Sequence, residues 1–344
     1  MRTRRYIVMM KIWRLLLPVL VGHTIALAQS KVGTTAGQFL GISVGPRAIS
    51  MGGAYVASMD DATSLYWNPG AFQQAGKSQF VFSNSEWLVG TTFRWFGFMY
   101  NFGNENAVGL SLTQLDYGEE DVTTVSQPEG TGERWSAQDI AIAASYCRRF
   151  TDRFSMGGSL KYVQQSIWNE AANTLAFDLG LLYITEFNDM RLGVSMSNFG
   201  GDLKLEGRDL LQRVDIDPTN SGSNKALVGS LKTDSWPLPL LFRVGVAMDV
   251  LKTNMVRITI AGDALRPSDN EESVNLGSEI AWNNLLSFRG GYKSVFGKDE
   301  QEGLSLGIGL RTKAEGWGDL EVNYAYTKFG FFGNLNSVSI AVSF

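Results

Sequence analysis

The sequence predicts an all-β fold: a 14-stranded antiparallel transmembrane β-barrel with a small N-terminal helical hatch. Apolar residues alternate with small or polar residues from about residue 78 to the end, and an export signal precedes this region. Every second connection between the alternating segments is short, and the longest connections lie between the short ones. A period of two places each set of residues on its own face of a strand. An exported chain whose remainder has no long apolar run can still span a membrane as a closed barrel.

The first residues read as a cleavable export signal. Basic residues precede a mostly apolar run over 15–27, and Ala26-Leu27-Ala28 fits a small-x-small cleavage site. A membrane-anchor helix is the alternative, but Pro18 and Gly22 interrupt the run. The predicted domains are a signal peptide at 1–28, a hatch segment at 29–77 and the barrel at 78–344.

The alternation is clearest near the C-terminus, where Val338, Ile340 and Val342 alternate with serine and alanine. Most of the segments reach the roughly 9–11 residues that a tilted strand needs to cross a bilayer. The predicted strands are 78–86, 92–102, 106–117, 137–149, 154–166, 174–185, 190–199, 240–250, 254–265, 273–281, 285–296, 303–313, 318–328 and 334–344.

Every second connection is short, and the two longest, 118–136 and 200–239, fall between the short ones. Outer-membrane barrels have short periplasmic turns and longer outside loops, so both termini are predicted to be periplasmic. Phe344 ends the last strand, as in bacterial outer-membrane proteins. A soluble β-sandwich or lipocalin-like barrel would show the same alternation. Its solvent face would carry dense Lys and Glu, whereas the opposing face here is rich in Gly, Ala and Ser.

The composition excludes several functions. The sole histidine is His23, within the predicted signal, and the sole cysteine is Cys147. A Ser-His-Asp or Cys-His system and a Cys/His zinc site therefore cannot form in the exported chain. We expect no enzyme activity, no metal and no cofactor. The net charge is −4 with scattered Lys and Arg, which does not indicate nucleic-acid binding.

Single charges of both signs lie on the inferred lumen face of the strands. They predict ion pairs across the lumen or contacts to the hatch, and a charge in a wet lumen is more often structural than functional. These residues are Lys161, Asp178, Arg243, Asp249, Arg257, Asp263, Glu279, Arg289, Lys293, Arg311 and Glu321.

The segment before the first strand does not alternate and contains Gly45-Pro46-Arg47-Ala48, Met51-Gly52-Gly53-Ala54, Asp60-Asp61 and Trp67-Asn68-Pro69. At this spacing the motifs resemble the PorV/PorQ family of Bacteroidetes-type bacteria, relatives of the FadL-type outer-membrane transporters. The resemblance implies a FadL-like barrel in the cell outer membrane, with the Asn-Pro turn in its hatch. For PorV-like members it implies type IX secretion, with secreted cargo and attachment-complex subunits as partners beside membrane lipids.

Candidate hatch or ligand residues are Phe39, Arg47, Met51, Tyr55, Asp60, Asp61, Tyr66, Trp67, Asn68 and Pro69. Asp60 and Asp61 are expected to cap a helix or to pair with Arg47 rather than to bind a cation.

Two functions remain open. A protein-binding secretion component predicts a docking surface on loop 200–239, although the same loop could instead cap the barrel mouth. The candidate partner-binding residues are Leu203, Leu205, Leu210, Leu211, Trp236 and Leu238. A FadL-like channel for hydrophobic small molecules predicts an apolar pocket lined by Phe39, Tyr55, Tyr66 and Trp67. A small-solute porin is disfavoured because the N-terminal segment reads as a plug.

Overall fold

A computed structural model describes residues 32–58, 61–103, 105–215, 219, 227–297, 301–314 and 318–344. The predicted signal peptide lies outside these residues and stays a prediction. Fourteen antiparallel strands form a closed barrel in which the last strand pairs with the first, with Phe82 opposite Ile340. The strands are β1 Gln79–Glu86, β2 Thr92–Phe102, β3 Asn106–Asp121, β4 Arg134–Thr151, β5 Phe154–Ile167, β6 Glu170–Ile184, β7 Arg191–Gly200, β8 Leu241–Lys252, β9 Val256–Pro267, β10 Ser273–Trp282, β11 Leu286–Tyr292, β12 Glu302–Ala314, β13 Gly318–Phe329 and β14 Asn334–Ser343.

The barrel confirms the predicted fold, with two corrections to strand bounds. The connection predicted at 118–136 is shorter, because β3 and β4 stay paired beyond a bulge as far as Asp121 and Arg134. β11 ends at Tyr292 rather than at 296. Ser294 has a positive φ of 54°, and its N–H donates to the Asn275 side chain at 2.9 Å, which turns the chain out of the sheet.

The two faces of the strands differ as the alternation predicts. On β8, Phe242, Val244 and Val246 are exposed on the outside, while Arg243 and Ala247 are buried within the barrel. An outward apolar band around a polar interior is the arrangement of a membrane barrel. Among the described residues, no helix combines the length and apolar character needed to cross a bilayer.

Residues 32–58 and 61–77 form short helical turns that pack inside the barrel. They are a 3-10 helix Gln38–Gly41, α1 Pro46–Ser50, α2 Ser64–Trp67 and a 3-10 helix Phe72–Ala75. Proline suits the first position of α1 because the N–H that it lacks would have no helical partner there. The core of the molecule lies between this segment and the lumen side of the strands. It includes Leu65, Phe72 and Trp95 in one cluster, and Met51 with Trp67 in a second.

Lumen-facing glycines let the hatch backbone touch the strands directly. A Cβ atom on Gly291 or Gly277 would collide with the backbone of Met51, and one on Gly157 would collide with the carbonyl of Pro69. Glycine is required where two backbones approach this closely. The lumen face is therefore rich in glycine because the hatch backbone packs directly against it.

The outer connections carry the remaining elements. Leu203–Lys204 pairs with Ser235–Trp236, and Glu206–Gly207 pairs with β6. Leu211–Val214 pairs with Leu227–Ser230 to form the outer hairpin. Short 3-10 helices lie at Leu88–Gly90, Arg208–Leu210 and Gly330–Phe332.

Candidate functional site

A buried ion network fixes the hatch to the barrel wall. Arg47 on α1 makes a two-pronged contact with Glu279 on β10, with nitrogen–oxygen distances of 2.9 and 3.0 Å. Its third nitrogen lies 3.3 Å from an oxygen of Asp61. Planar guanidinium and carboxylate groups match well in this geometry, and the contact adds direction as well as energy. The structure thus confirms the prediction that lumen charges contact the hatch.

The same network continues along the wall. Glu279 also accepts from Arg289 at 2.6 Å and from Arg257 at 3.1 Å. Arg289 donates to Asn323, and Arg311 on β12 pairs with Glu321 on β13 at 2.6 Å. These residues lie toward the strand ends joined by short turns, the ends that the loop lengths predict to be periplasmic.

Contacts to the hatch backbone also come from β9, the strand next to β10, and the hatch contacts β6 as well. Asp263 on β9 accepts the N–H groups of Tyr55 and Val56 at 2.7 and 2.8 Å. The Asn68 side chain donates to the carbonyls of Val56 and Leu181 and accepts from the Gly70 N–H, which shapes the Asn-Pro turn. An asparagine amide can satisfy three backbone groups at once in this way.

Most of the candidate hatch residues lie in the packed core or in the Asn-Pro turn, where they support the structure of the hatch. Phe39, Met51, Tyr55 and Trp67 are buried, and Asn68 and Pro69 form the turn against β5 and β6. Asp61 contacts Arg47, as predicted, and accepts from the N–H of Thr63 at 2.9 Å, just before the first residue of α2. Asp60 lies outside the described residues, and its role stays a prediction.

A cavity of about 470 Å³ lies between the hatch and the outer ends of β8 to β13. Its wall includes Trp67 and Arg243, and its rim includes Asp269, Asn270 and Glu271. Asn270 and Glu271 are exposed, so the cavity opens toward the outer side. Its size is within the range of about 300–1,000 Å³ for small-ligand sites, but its rim is more polar than in most of them.

The apolar pocket expected from a channel function differs from this cavity. Trp67 lines the cavity, whereas Phe39 and Tyr55 are packed within the core clusters. Tyr66 donates its hydroxyl to the Leu40 carbonyl at 3.0 Å. Burial raises the pKa of this hydroxyl, and the charge of Arg243 partly offsets the rise.

The candidate partner-binding residues divide into two groups. Leu203 and Leu238 are buried against Gly37 and belong to the core, so their prediction as an exposed docking surface is wrong. They cover the hatch, as the capping alternative proposed. Leu205 packs partly against the same cluster, and Leu210 is partly buried. Leu211 on the outer hairpin and Trp236 are exposed.

Solved structures that resemble this chain include a hydrocarbon channel, a toluene transporter and a FadL homologue. The CymD monoaromatic hydrocarbon channel aligns with a TM-score of 0.56 at 14% identity, over 88% of this chain and 96% of that one. The toluene transporter TbuX of Ralstonia pickettii aligns with 0.53 at 13%, over 88% and 97%. A FadL homologue of Pseudomonas aeruginosa aligns with 0.51 at 12%, over 88% and 97%. At these identities the similarity establishes the fold alone.

Comparison with curated protein sequences gives no match. The family model described as "Type IX secretion system protein PorV" matches residues 25–220, which is more than half of the chain. Together with the closed barrel, this match places the protein in the outer membrane and confirms the family that the hatch motifs indicated. The chain belongs to the PorV family.

Proposed function

We propose that this barrel is a type IX secretion component that binds secreted proteins or attachment-complex subunits at the cell surface. The observation that carries the proposal is the anchored hatch. It occupies the lumen, where Arg47 pairs with Glu279 on β10, Asp263 on the neighbouring β9 accepts two hatch N–H groups, and Asn68 donates to Leu181 on β6. A plug held by buried ion pairs favours a rigid binding platform over a solute path.

The outer hairpin supplies a surface for such a partner. Leu211, Val214, Leu227 and Val228 are all exposed, and Val228 retains 69% of its accessible surface. This hairpin lies at the long-loop end, away from the lipid-facing band. Exposed apolar patches at a solvent-facing end are typical of protein-binding sites.

We propose further that the protein acts by binding and not by catalysis. The chain after residue 28 contains no histidine and one cysteine, and Cys147 is buried. This composition leaves no histidine to serve as a base for a serine or cysteine nucleophile.

A channel for hydrophobic small molecules is the second candidate, favoured by the fold shared with the hydrocarbon channels. Affinity purification from native outer membranes separates the two. The tagged protein is extracted in mild detergent, and bound proteins and lipids are both identified by mass spectrometry. Recovery of secreted proteins with a common C-terminal domain, or of a large translocon barrel, supports the first proposal. Stoichiometric apolar small molecules without proteins would support the channel.

A matched pair of variants makes the result specific. The Val228→Ser variant changes the exposed hairpin, and Val246→Ser changes the lipid-facing band on β8. Loss of protein partners is expected only in the first variant. Equal loss in both would indicate a general effect on the barrel and would count against the hairpin as the binding surface.

A further inference from the structure

The connection 268–272 between β9 and β10 places two carboxylates on the cavity at the barrel mouth. Asp269 and Glu271 both line this cavity, whereas the next carboxylate, Glu272, lies outside it and pairs with Arg266. In the part of the chain that the structure describes, neither Asp269 nor Glu271 forms an ion pair with a Lys or Arg side chain. Two uncompensated negative charges therefore lie on the same cavity.

Asp269 is the more informative of the two because its side chain is buried. It is 8% exposed, and its Oδ2 atom accepts from the Thr35 hydroxyl at 2.5 Å and from the Gln38 amide at 2.7 Å. Both donors are neutral, so they do not cancel the charge. Among the described residues, no donor reaches the Oδ1 atom. A carboxylate that is more than nine-tenths buried, with an unpartnered oxygen on a cavity wall, points to a ligand that donates to it.

The two cations on the cavity wall already have counter-charges. Lys293 pairs with Glu302. Arg243 has its counter-charge in Asp263, which lies on the same face of the neighbouring strand β9. The charges of Asp269 and Glu271 remain, so the cavity is negative overall. A concave site lined by one sign of charge attracts ligands of the opposite sign and disfavours anions.

Aromatic rings supply a second feature of a site for organic cations. Trp87, directly after β1, and Phe329, at the end of β13, line the cavity with ring centres 5.8 Å apart in an edge-to-face arrangement. Ring faces attract organic cations and also contact their hydrocarbon parts. A metal ion is the less suitable occupant, because no group of three acidic, His or Cys side chains in the described ranges is arranged to hold one.

We infer that this cavity binds a small organic ammonium ion. Its N–H groups donate to the Oδ1 atom of Asp269 in charge-assisted hydrogen bonds, and its hydrocarbon part lies against the aromatic wall of Trp87 and Phe329. Glu271, exposed at the rim, attracts the cation toward the opening. The volume of about 470 Å³ is that of a small-molecule site. The inference goes beyond the proposed function, because the ligand is a free solute and needs no secreted partner.

The test uses the full chain in nanodiscs of zwitterionic lipid, with empty nanodiscs as the blank. The probes are 2-phenylethylammonium, the neutral 2-phenylethanol and the anion 3-phenylpropanoate, each titrated by saturation-transfer NMR. We expect the ammonium ion to bind about tenfold more tightly than the alcohol, since its hydrogen bond to the carboxylate is charge-assisted. Equal binding of ammonium and alcohol, binding of the anion as tight as that of the ammonium, or no binding of the ammonium would overturn the inference.

Variants identify the carboxylates. Asp269→Asn keeps the size of the side chain and should weaken ammonium binding about tenfold while leaving alcohol binding unchanged. Glu271→Gln, at the exposed rim, should weaken it by about two- to threefold. Glu272→Gln is the matched control: its side chain is 71% exposed, and it should bind like the parent.

Heat-modifiable migration on gels checks that each barrel is folded, which matters for Asp269 because it also holds Thr35 and Gln38. If Asp269→Asn does not fold, the two exposed variants still decide. Ammonium binding that is equal in Glu271→Gln and Glu272→Gln would then contradict the site, and a loss confined to Glu271→Gln would support it.

Discussion

At the residue scale, the pair of Arg47 and Glu279 is expected to dominate the attachment of the hatch. Without the Arg47 side chain, Glu279 keeps Arg289 and Arg257, but the two hydrogen bonds from Arg47 and its contact with Asp61 are lost. Loss of a hydrogen bond to a charged group typically costs about 1.5–3 kcal/mol. Arg47→Met should therefore lower the free energy of unfolding by this order, measured by urea titration in detergent.

The exposed pair of Arg266 and Glu272 supplies the control. Its side chains are 75% and 71% exposed, and a solvated pair contributes about 0–1 kcal/mol. Arg266→Met should change unfolding little. A loss for Arg47→Met no larger than that of the control would contradict the role given to the buried pair.

Two adjacent glycines on β11 test the fit between hatch and wall. A Cβ on Gly291 would collide with Met51, whereas one on Gly290 would lie 3.6 Å from a methyl of Leu306 on the lipid side. Gly291→Ala should destabilise the barrel by about 1–3 kcal/mol, as overpacking does, and Gly290→Ala should be nearly neutral. Thermal unfolding in detergent measures both, and equal effects would show that the hatch does not press on the strand.

At the element scale, the buried and the exposed residues of the outer connection 201–240 have different roles. Leu203 is 2% exposed and packs on the hatch, so Leu203→Ala should cost about 2–5 kcal/mol of stability. Val228→Ser on the outer hairpin should leave stability nearly unchanged and reduce the recovery of protein partners. Parallel unfolding and copurification measurements on both variants check this, and a reversed pattern would refute it.

The strands were predictable because a period of two leaves a strong signal wherever lipid lies on one side and the lumen on the other. The strand positions that contact the hatch were harder to predict from the sequence. Gly157, Gly277 and Gly291 read only as small residues, because nothing local shows which backbone approaches them. The apolar Leu203 and Leu238 looked like a docking surface, since apolar character alone does not distinguish a residue that covers the core from one that is exposed.

Arg243 illustrates the same limit. It was one of the predicted lumen charges, but its position over the rings of Tyr66 and Trp67 depends on how the hatch packs against β8. Such a contact cannot be assigned from the strand pattern, because the two rings come from the hatch and not from a strand.

At the scale of the whole molecule, the loop lengths predict the orientation in the membrane. In a Cys147→Ser background, a maleimide that cannot cross membranes should label the Ser230→Cys variant in intact cells. The Thr253→Cys variant, in a short turn, should be labelled only after the outer membrane is permeabilised. Both positions are exposed, so accessibility within the fold does not confound the result. Labelling of the second variant in intact cells would invert the orientation.

We propose that the barrel serves protein secretion by binding proteins. The most direct measurement compares the surface-exposed proteome of the native bacterium with that of a deletion strain, by quantitative mass spectrometry, alongside uptake of a hydrophobic compound such as toluene. We expect a set of surface proteins to disappear from the cell surface in the deletion strain while uptake is unchanged. An unchanged surface proteome together with lost uptake would contradict it.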